Sequence, residues 1–190
     1  MFLLAPPDNK AIEQFLVECE QDGFSYPEIG ATKGPPPAGY NIDHNRMKIG
    51  TGQQAFEKAV TAIREWKMFD MDWVTLIHND TPIEVGRTVA ILVKHFGFYS
   101  LNGARIVYIL DDTAEVWRYG FAYGTLSEHS ETGQERFSVE FPDATGGGWY
   151  DLHLFSGTSP IVGRHGRPVD GWPPKQRTGS SADAKFDRMW

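Results

Sequence analysis

Apolar residues repeat at helical spacing near the start of the chain. One stripe occupies positions i, i+3, i+4 and i+7 and consists of Ile12, Phe15, Leu16 and Cys19. Asp8 follows two prolines directly before this stripe, where a carboxylate can cap a helix. The pattern therefore predicts a helix that begins after Asp8 and ends near Gly23.

A second helical pattern begins at Thr51, with Gln54 three residues later as in a capping box. Its apolar face consists of Phe56, Ala59, Val60, Ile63 and Trp66. We predict one helix that ends near Phe69. Residues 24–52, between the two helices, are rich in Gly and Pro and predict extended chain and loop. This connection is long enough that we expect it to contain a strand or two, or to carry function.

The pattern changes after residue 70 to segments rich in β-branched and aromatic residues, which are typical of strands. Six candidates lie at residues 72–77, 87–98, 104–112, 115–126, 135–141 and 147–155. Turn signals such as Asn102-Gly103 and Asp111-Asp112 separate them, and gaps this short favour an antiparallel meander. We predict a single α+β domain over residues 1–190, with two amino-terminal helices, a curved antiparallel sheet of six or seven strands, and a carboxy-terminal helical segment beginning near Ser180.

Composition narrows the range of partners. The net charge is −7 and no block of Lys or Arg stands out, which argues against a nucleic-acid partner and an anionic membrane surface. No apolar run reaches the about 20 residues of a membrane-spanning helix. The single Cys19 excludes an internal disulfide and a cysteine-based zinc site. With a short, unflanked apolar run at the amino terminus, these features predict a cytoplasmic protein without a cofactor.

Three short motifs have both a chemical and a structural interpretation. Residues 50–55, GTGQQA, match a dinucleotide fingerprint, but the strands that follow are not a βαβ unit, so we interpret them as a tight turn into a helix. Asp43, His44 and Arg46 are placed beside a turn, as a structural ion pair or a polar anchor for a ligand. Asp151 and His153 share one strand face, but no pattern supplies further ligands, and we predict no metal site.

The segment from Gly120 to Phe141 places acidic side chains around one histidine. Glu128, His129 and Glu131 are candidates for acid–base chemistry or cation binding, although a polar loop tip explains the same composition. Glu135 differs because strand alternation places it on the apolar face of the outgoing strand. A carboxylate there needs a partner or a functional reason.

Several stretches of the chain resemble the family called domain of unknown function 1990 (DUF1990, UPF0548-like). They are SYPEIGAT, PPAGY, IGTGQQAFEKA, LNGARIVYILDD, FAYGTLSEHSETGQERFSVE and WYDLHLFS, and the likeness covers about residues 24–160. The polar, Pro-rich tail at 160–190 diverges, and Gln134 stands where the family commonly has an acid. The marked positions of the family correspond to Tyr26, Gly30, Tyr40, Gly50, Gly52, Arg105, Tyr123, Gly124, Thr125, His129, Gly133, Glu135, Arg136 and Phe137.

The resemblance implies a START/Bet v 1-like helix-grip fold, in which a curved sheet wraps a long carboxy-terminal helix around an apolar cavity. The first functional hypothesis is therefore non-catalytic binding of a small apolar or amphipathic ligand. The residues expected to contact this ligand are Tyr26, Arg46, Tyr123, Glu135 and Arg136. An acid–base enzyme, such as a cyclase or hydrolase using His129 or Glu135, is less favoured. A structural or interaction module without ligand, with a homodimer as a candidate assembly, ranks second, ahead of the enzyme.

Overall fold

Eight antiparallel strands form one sheet in the part of the chain that the computed structural model describes, which is residues 1–114, 116–129, 131–142 and 147–158. In chain order the elements are β1 (Phe2–Leu3), α1 (Asn9–Gln21), β2 (Asn41–Thr51), α2 (Gly52–Arg64), β3 (Val74–Ile77), β4 (Thr88–Lys94), β5 (Tyr99–Asp112), β6 (Trp117–Thr125), β7 (Glu131–Phe141) and β8 (Gly147–Thr158). The strand order is β2-β8-β7-β6-β5-β4-β3, and β1 pairs with β5. The predicted α+β class with a large antiparallel sheet is confirmed. The predicted carboxy-terminal helix lies outside the described residues.

Helix α1 follows the prediction closely. The Asp8 carboxylate accepts a hydrogen bond from the Ala11 amide at 2.8 Å, so the predicted cap is confirmed. Ile12, Phe15 and Cys19 are buried against β4, β5 and the end of β6, in a cluster with Ala90, Leu101 and Leu126. The helix ends at Gln21, two residues before Gly23.

Helix α2 differs from its prediction at both ends. Thr51 occupies the cap position, but its side chain makes no capping hydrogen bond, so the predicted capping box is wrong. The helix ends at Arg64, and Trp66 adopts a left-handed conformation with φ of 56° before a short 3₁₀ turn at Lys67–Phe69. The Trp66 ring packs 4.8 Å from that of Phe121, and its indole N–H donates to the Thr81 carbonyl at 2.8 Å. We attribute the early end of the helix to this tertiary packing.

Two local predictions in the sheet are also wrong. Asp43, His44 and Arg46 lie on β2, which pairs with β8, and not beside a turn. Asn102 and Gly103 lie inside β5, and the turn before this strand is at residues 95–98, where the His95 amide donates to the Phe98 carbonyl at 2.8 Å. Gly103 has a packing role instead, because a Cβ there would lie 2.5 Å from the Cys19 sulfur.

The sheet has two differently covered faces. The α2 face packs α2 and the 3₁₀ turn against an aromatic core that includes Trp66, Phe69, Phe121, Phe137 and Phe141. The opposite, α1 face is covered by α1 and by residues 24–40, which we call the strap. None of the helices in the described residues has the length and hydrophobicity needed to cross a membrane.

The contact between the strap and β6 predicts a strong effect of one added methyl group. In Gly124→Ala, the new Cβ would overlap the Tyr26 hydroxyl and lie 2.9 Å from Cδ1 of Phe24. We expect a loss of about 1–3 kcal/mol in the free energy of unfolding, measured by urea denaturation. Gly23→Ala is the control, since nothing lies within 4 Å of its added Cβ, and should change stability by less than about 0.5 kcal/mol. Equal stability of the two variants would contradict this packing.

Candidate functional site

A small cavity opens on the α2 face, where β6 and β7 meet their connecting loop. Its volume is about 80 Å³. We call it the hairpin pocket, and the lining residues that matter for its chemistry are Tyr123, Thr125, His129, Glu131, Glu135 and Leu154. The sheet register brings three of them together, because Glu135 lies opposite Tyr123 on one side and opposite Leu154 on the other.

Tyr123 and Glu135 form the central contact of the hairpin pocket. The buried phenol donates a hydrogen bond to the Glu135 carboxylate. Burial, followed by the nearby charge of Glu135, raises the pKa of Tyr123 well above its ordinary value. The ring packs between those of Phe69 and Phe137, which fixes its position. Tyr123 is therefore a neutral, rigidly held donor to a carboxylate.

His129 forms the loop side of the pocket. Its Nδ1 lies 3.0 Å from both the backbone nitrogen and the backbone oxygen of Glu131. Burial lowers the pKa of His129 to about 4, against smaller opposing effects of the Glu131 backbone and the Glu135 charge. The ring is therefore neutral at neutral pH. Its Nε2 makes no hydrogen bond with any residue that the structure describes.

Gln134 points to the opposite face and holds the strap. Its side-chain oxygen accepts hydrogen bonds from the Tyr26 hydroxyl at 2.9 Å and from the Gly30 amide at 2.7 Å. Its side-chain nitrogen donates to the Thr32 hydroxyl, which lies 2.7 Å from the hydroxyl of Tyr108. Tyr26 is thus part of a buried tether on the α1 face.

Arg136 is the second tether of the strap. It donates to the Thr32 carbonyl at 2.8 Å and to the Asp151 carboxylate at 2.6 Å. The other Asp151 oxygen lies 2.7 Å from Nε2 of His44. Burial acts to raise the pKa of Asp151, but the hydrogen bonds from His44 and Arg136 together outweigh it and hold this pKa below its ordinary value.

The sequence-predicted site residues are therefore divided between two faces. Tyr123, Glu135 and His129 meet in the hairpin pocket. Tyr26 and Arg136 lie on the α1 face, and so does Arg46, which pairs with Glu140 at 3.2 Å and stacks over the Trp149 ring. The functional roles of all six residues stay predictions.

Sequence reasoning missed several contributors. Glu131, which a polar loop tip also explained, begins β7 and lines the pocket, and Leu154 was not considered. For Leu154 the available signal was alternation along β8, which places it on the face opposite Asp151 and His153.

No sequence pattern pointed to Thr32, because its role depends on contacts with Tyr108 on β5 and with Gln134 and Arg136 on β7. Within the described residues, no three His, Cys, Asp or Glu side chains are placed to hold a metal ion.

These features define an α+β protein with one antiparallel sheet, a strap across one face and a small pocket on the other. The chain belongs to the family described as domain of unknown function (DUF1990), whose model matches residues 25–179. It is 35% identical over 187 residues to a UPF0548 protein of Dictyostelium discoideum, covering 89% of this chain and 87% of the relative. It is 36% identical to a UPF0548 protein of Deinococcus radiodurans, covering 98% and 96%.

A solved structure of a hypothetical protein from Helicobacter pylori has a similar fold, with a TM-score of 0.50 and 13% identity. The likeness covers 89% of this chain and 95% of that chain, and it concerns the fold alone. The predicted family is thus confirmed. The finer placement in the START/Bet v 1 superfamily stays a prediction.

Removing the Arg136 guanidinium should destabilise the protein strongly. In Arg136→Met, the buried Asp151 carboxylate loses its main cation and the strap loses a hydrogen bond, which we expect to cost about 3 kcal/mol in urea denaturation. Arg46→Met is the matched control. It removes a half-exposed guanidinium from Glu140, which keeps Arg118 at 3.1 Å, and should cost less than about 1 kcal/mol. Similar losses for both variants would show that the buried pair is not a main tether.

The lowered pKa of His129 predicts how stability depends on pH. The unfolded ring has an ordinary pKa near 6.5, so between pH 6.5 and about 4 the unfolded state binds more protons than the folded state. The stability due to the neutral ring is complete above pH 6.5 and is lost as pH falls toward 4, by up to about 3 kcal/mol. His129→Gln should therefore lose less stability on acidification.

Urea denaturation of both proteins between pH 7.5 and pH 4.5 measures this difference. His95 and His153, whose pKa values burial also lowers, are present in both proteins and do not affect the comparison. Parallel stability curves for the wild type and His129→Gln would contradict the buried environment of the ring.

Proposed function

We propose that the protein binds a small amphipathic ligand, with the polar end of the ligand in the hairpin pocket. The observation that supports this most directly is the convergence of Tyr123, His129 and Glu135 on one cavity beside the apolar side chain of Leu154. A few polar groups at fixed positions in a partly apolar wall are typical of small-molecule sites. The rigid packing of Tyr123 favours binding, because the site is formed before a ligand arrives.

The size of the pocket limits what it can hold. Small-molecule pockets usually have volumes of about 300–1,000 Å³, whereas the hairpin pocket measures about 80 Å³. It is therefore the site for a head group, and the apolar part of the ligand extends past Leu154. The interior between α2 and the sheet is occupied by aromatic side chains such as Trp66 and Phe121.

An acid–base enzyme is the second candidate, because a histidine, a carboxylate and a phenol share the cavity. Proton transfer at neutral pH is most efficient for a group whose pKa is near 7. With its pKa at about 4, His129 is a weak base. The Glu135 carboxylate already accepts a hydrogen bond from the Tyr123 hydroxyl. These two facts favour binding over catalysis.

A structural role accounts for another part of the family motifs. Tyr26, Gly124 and Arg136, all at marked family positions, contact or hold the strap on the α1 face. We propose that these residues maintain the fold and do not touch the ligand. The proposed helix-grip relationship is supported by the single antiparallel sheet with α2 packed on one face.

A fragment screen by ligand-observed NMR tests the proposed function. We expect fragments with a polar head and a short apolar tail to bind the wild type, and to bind Glu135→Gln and Tyr123→Phe at least about tenfold more weakly. Arg46→Met lies on the opposite face and should bind like the wild type. If every bound fragment has the same affinity for all four proteins, the ligand site is elsewhere and the proposal fails.

A further inference from the structure

We propose that the head group held in the hairpin pocket is an uncharged hydrogen-bond acceptor, of the class of ketone and amide carbonyl groups. This inference rests on the proposed function, because it names the ligand chemistry of that same site. It depends on the tautomer of His129, on the hydrogen bonds that other donors in the pocket already make, and on the volume of the pocket.

The backbone fixes the tautomer of His129. The Glu131 amide donates a hydrogen bond to Nδ1 of the ring at 3.0 Å. A backbone amide always carries its proton, so Nδ1 accepts here and carries none. The ring is neutral at neutral pH, because burial lowers its pKa to about 4, and its one N–H proton is therefore on Nε2. His129 is thus a hydrogen-bond donor through Nε2–H.

The Nε2–H group has no acceptor among the residues that the structure describes. Because Nδ1 is held by the backbone of Glu131, Nε2 is the polar ring atom available to the cavity that the side chain lines. A partly buried N–H without an acceptor is unfavourable. An oxygen atom of a ligand in the pocket would accept this hydrogen bond.

Two hydroxyl groups that line the same pocket have already used their protons. The Tyr123 hydroxyl donates to the Glu135 carboxylate, and the Thr125 hydroxyl donates to the Gly133 carbonyl at 3.1 Å. A hydroxyl has a single proton, so neither can donate to a ligand without giving up its present bond. His129 is therefore the side chain that we expect to select the head group.

The neutral state of the ring favours an uncharged acceptor. A neutral N–H supplies a hydrogen bond but no positive charge. No Lys or Arg is among the described residues that line the pocket. A ligand anion would therefore lose its hydration without gaining a cation from these residues, which is costly. A carbonyl oxygen has less hydration to lose, and its neighbouring carbon atoms match the apolar side chain of Leu154.

The volume of the pocket agrees with a head group of this size. A water molecule occupies about 30 Å³ in the liquid, so a cavity of about 80 Å³ holds a group of only a few non-hydrogen atoms. An acetyl or a small amide group meets this limit. A ring system does not.

The test compares three probes that share a pentyl tail and differ in the head group: 2-heptanone, 2-aminoheptane and hexanoate, titrated by ligand-observed NMR at pH 7. The ketone offers only an acceptor, the ammonium group only donors, and the carboxylate an acceptor with a charge. We expect the wild type to bind 2-heptanone at least about tenfold more tightly than 2-aminoheptane, and to bind hexanoate more weakly than 2-heptanone.

Three variants assign this preference to the ring of His129. His129→Leu removes the donor and should reduce the preference for the ketone over the amine to less than about twofold, whereas His129→Gln retains an N–H donor and should keep most of it. His44→Leu is the matched control, because it makes the same change at a half-exposed imidazole on the opposite face. It should keep the full preference.

Nitrogen-15 NMR of the wild type checks the tautomer directly. We expect the proton of the His129 ring on Nε2, and a change in the Nε2 chemical shift when 2-heptanone binds. A proton on Nδ1 would overturn the assignment, and so would equal effects of His129→Leu and His44→Leu. Binding of the amine or of hexanoate as tightly as the ketone would also overturn it and leave the proposed function standing. If none of the three probes binds the folded wild type, both proposals fail.

Discussion

The register of β7 is the constraint on which the rest of the structure depends. Along this strand Gln134 and Arg136 point to the strap, whereas Glu135 and Phe137 point to the α2 face. Because side chains alternate with a period of two, a slip of one residue would move every group to the wrong face. The buried aromatic residues on one face and the buried polar tethers on the other both oppose such a slip. The same register therefore stabilises the fold and assembles the hairpin pocket.

Local patterns predicted the elements well, and tertiary contacts explain where they failed. The stripe of α1 and its Asp8 cap depend on neighbours in the chain, so the sequence was sufficient there. Trp66 ends α2 because its ring packs on a distant strand, and Gly103 is needed for close approach of Cys19. The family resemblance marked positions on both faces without separating the two faces. Alternation along β7 already separates Glu135 from Arg136, but placing Tyr26 and His129 on their faces needs the tertiary contacts of the strap and the loop.

The division of the motif between two faces has a physical basis. A strap of 17 residues without a long helix or strand cannot bury much apolar surface by itself, and its backbone groups need partners. Gln134 accepts from the Gly30 amide and Arg136 donates to the Thr32 carbonyl, so β7 supplies two of those partners. Residues in the same short motif therefore serve two purposes, because successive side chains along one strand point to opposite faces.

The amide of Gln134 also sets the direction of a chain of hydrogen bonds. Its nitrogen donates to Thr32, so the Thr32 hydroxyl is free to send its own proton on to the phenol of Tyr108. A carboxylate in place of this amide has no proton to give when ionised. Thr32 would then have to donate back to residue 134, and Tyr108 would have to donate to Thr32. Replacing this amide with a carboxylate would thus reverse the donor-to-acceptor direction of both hydrogen bonds that link residue 134, Thr32 and Tyr108.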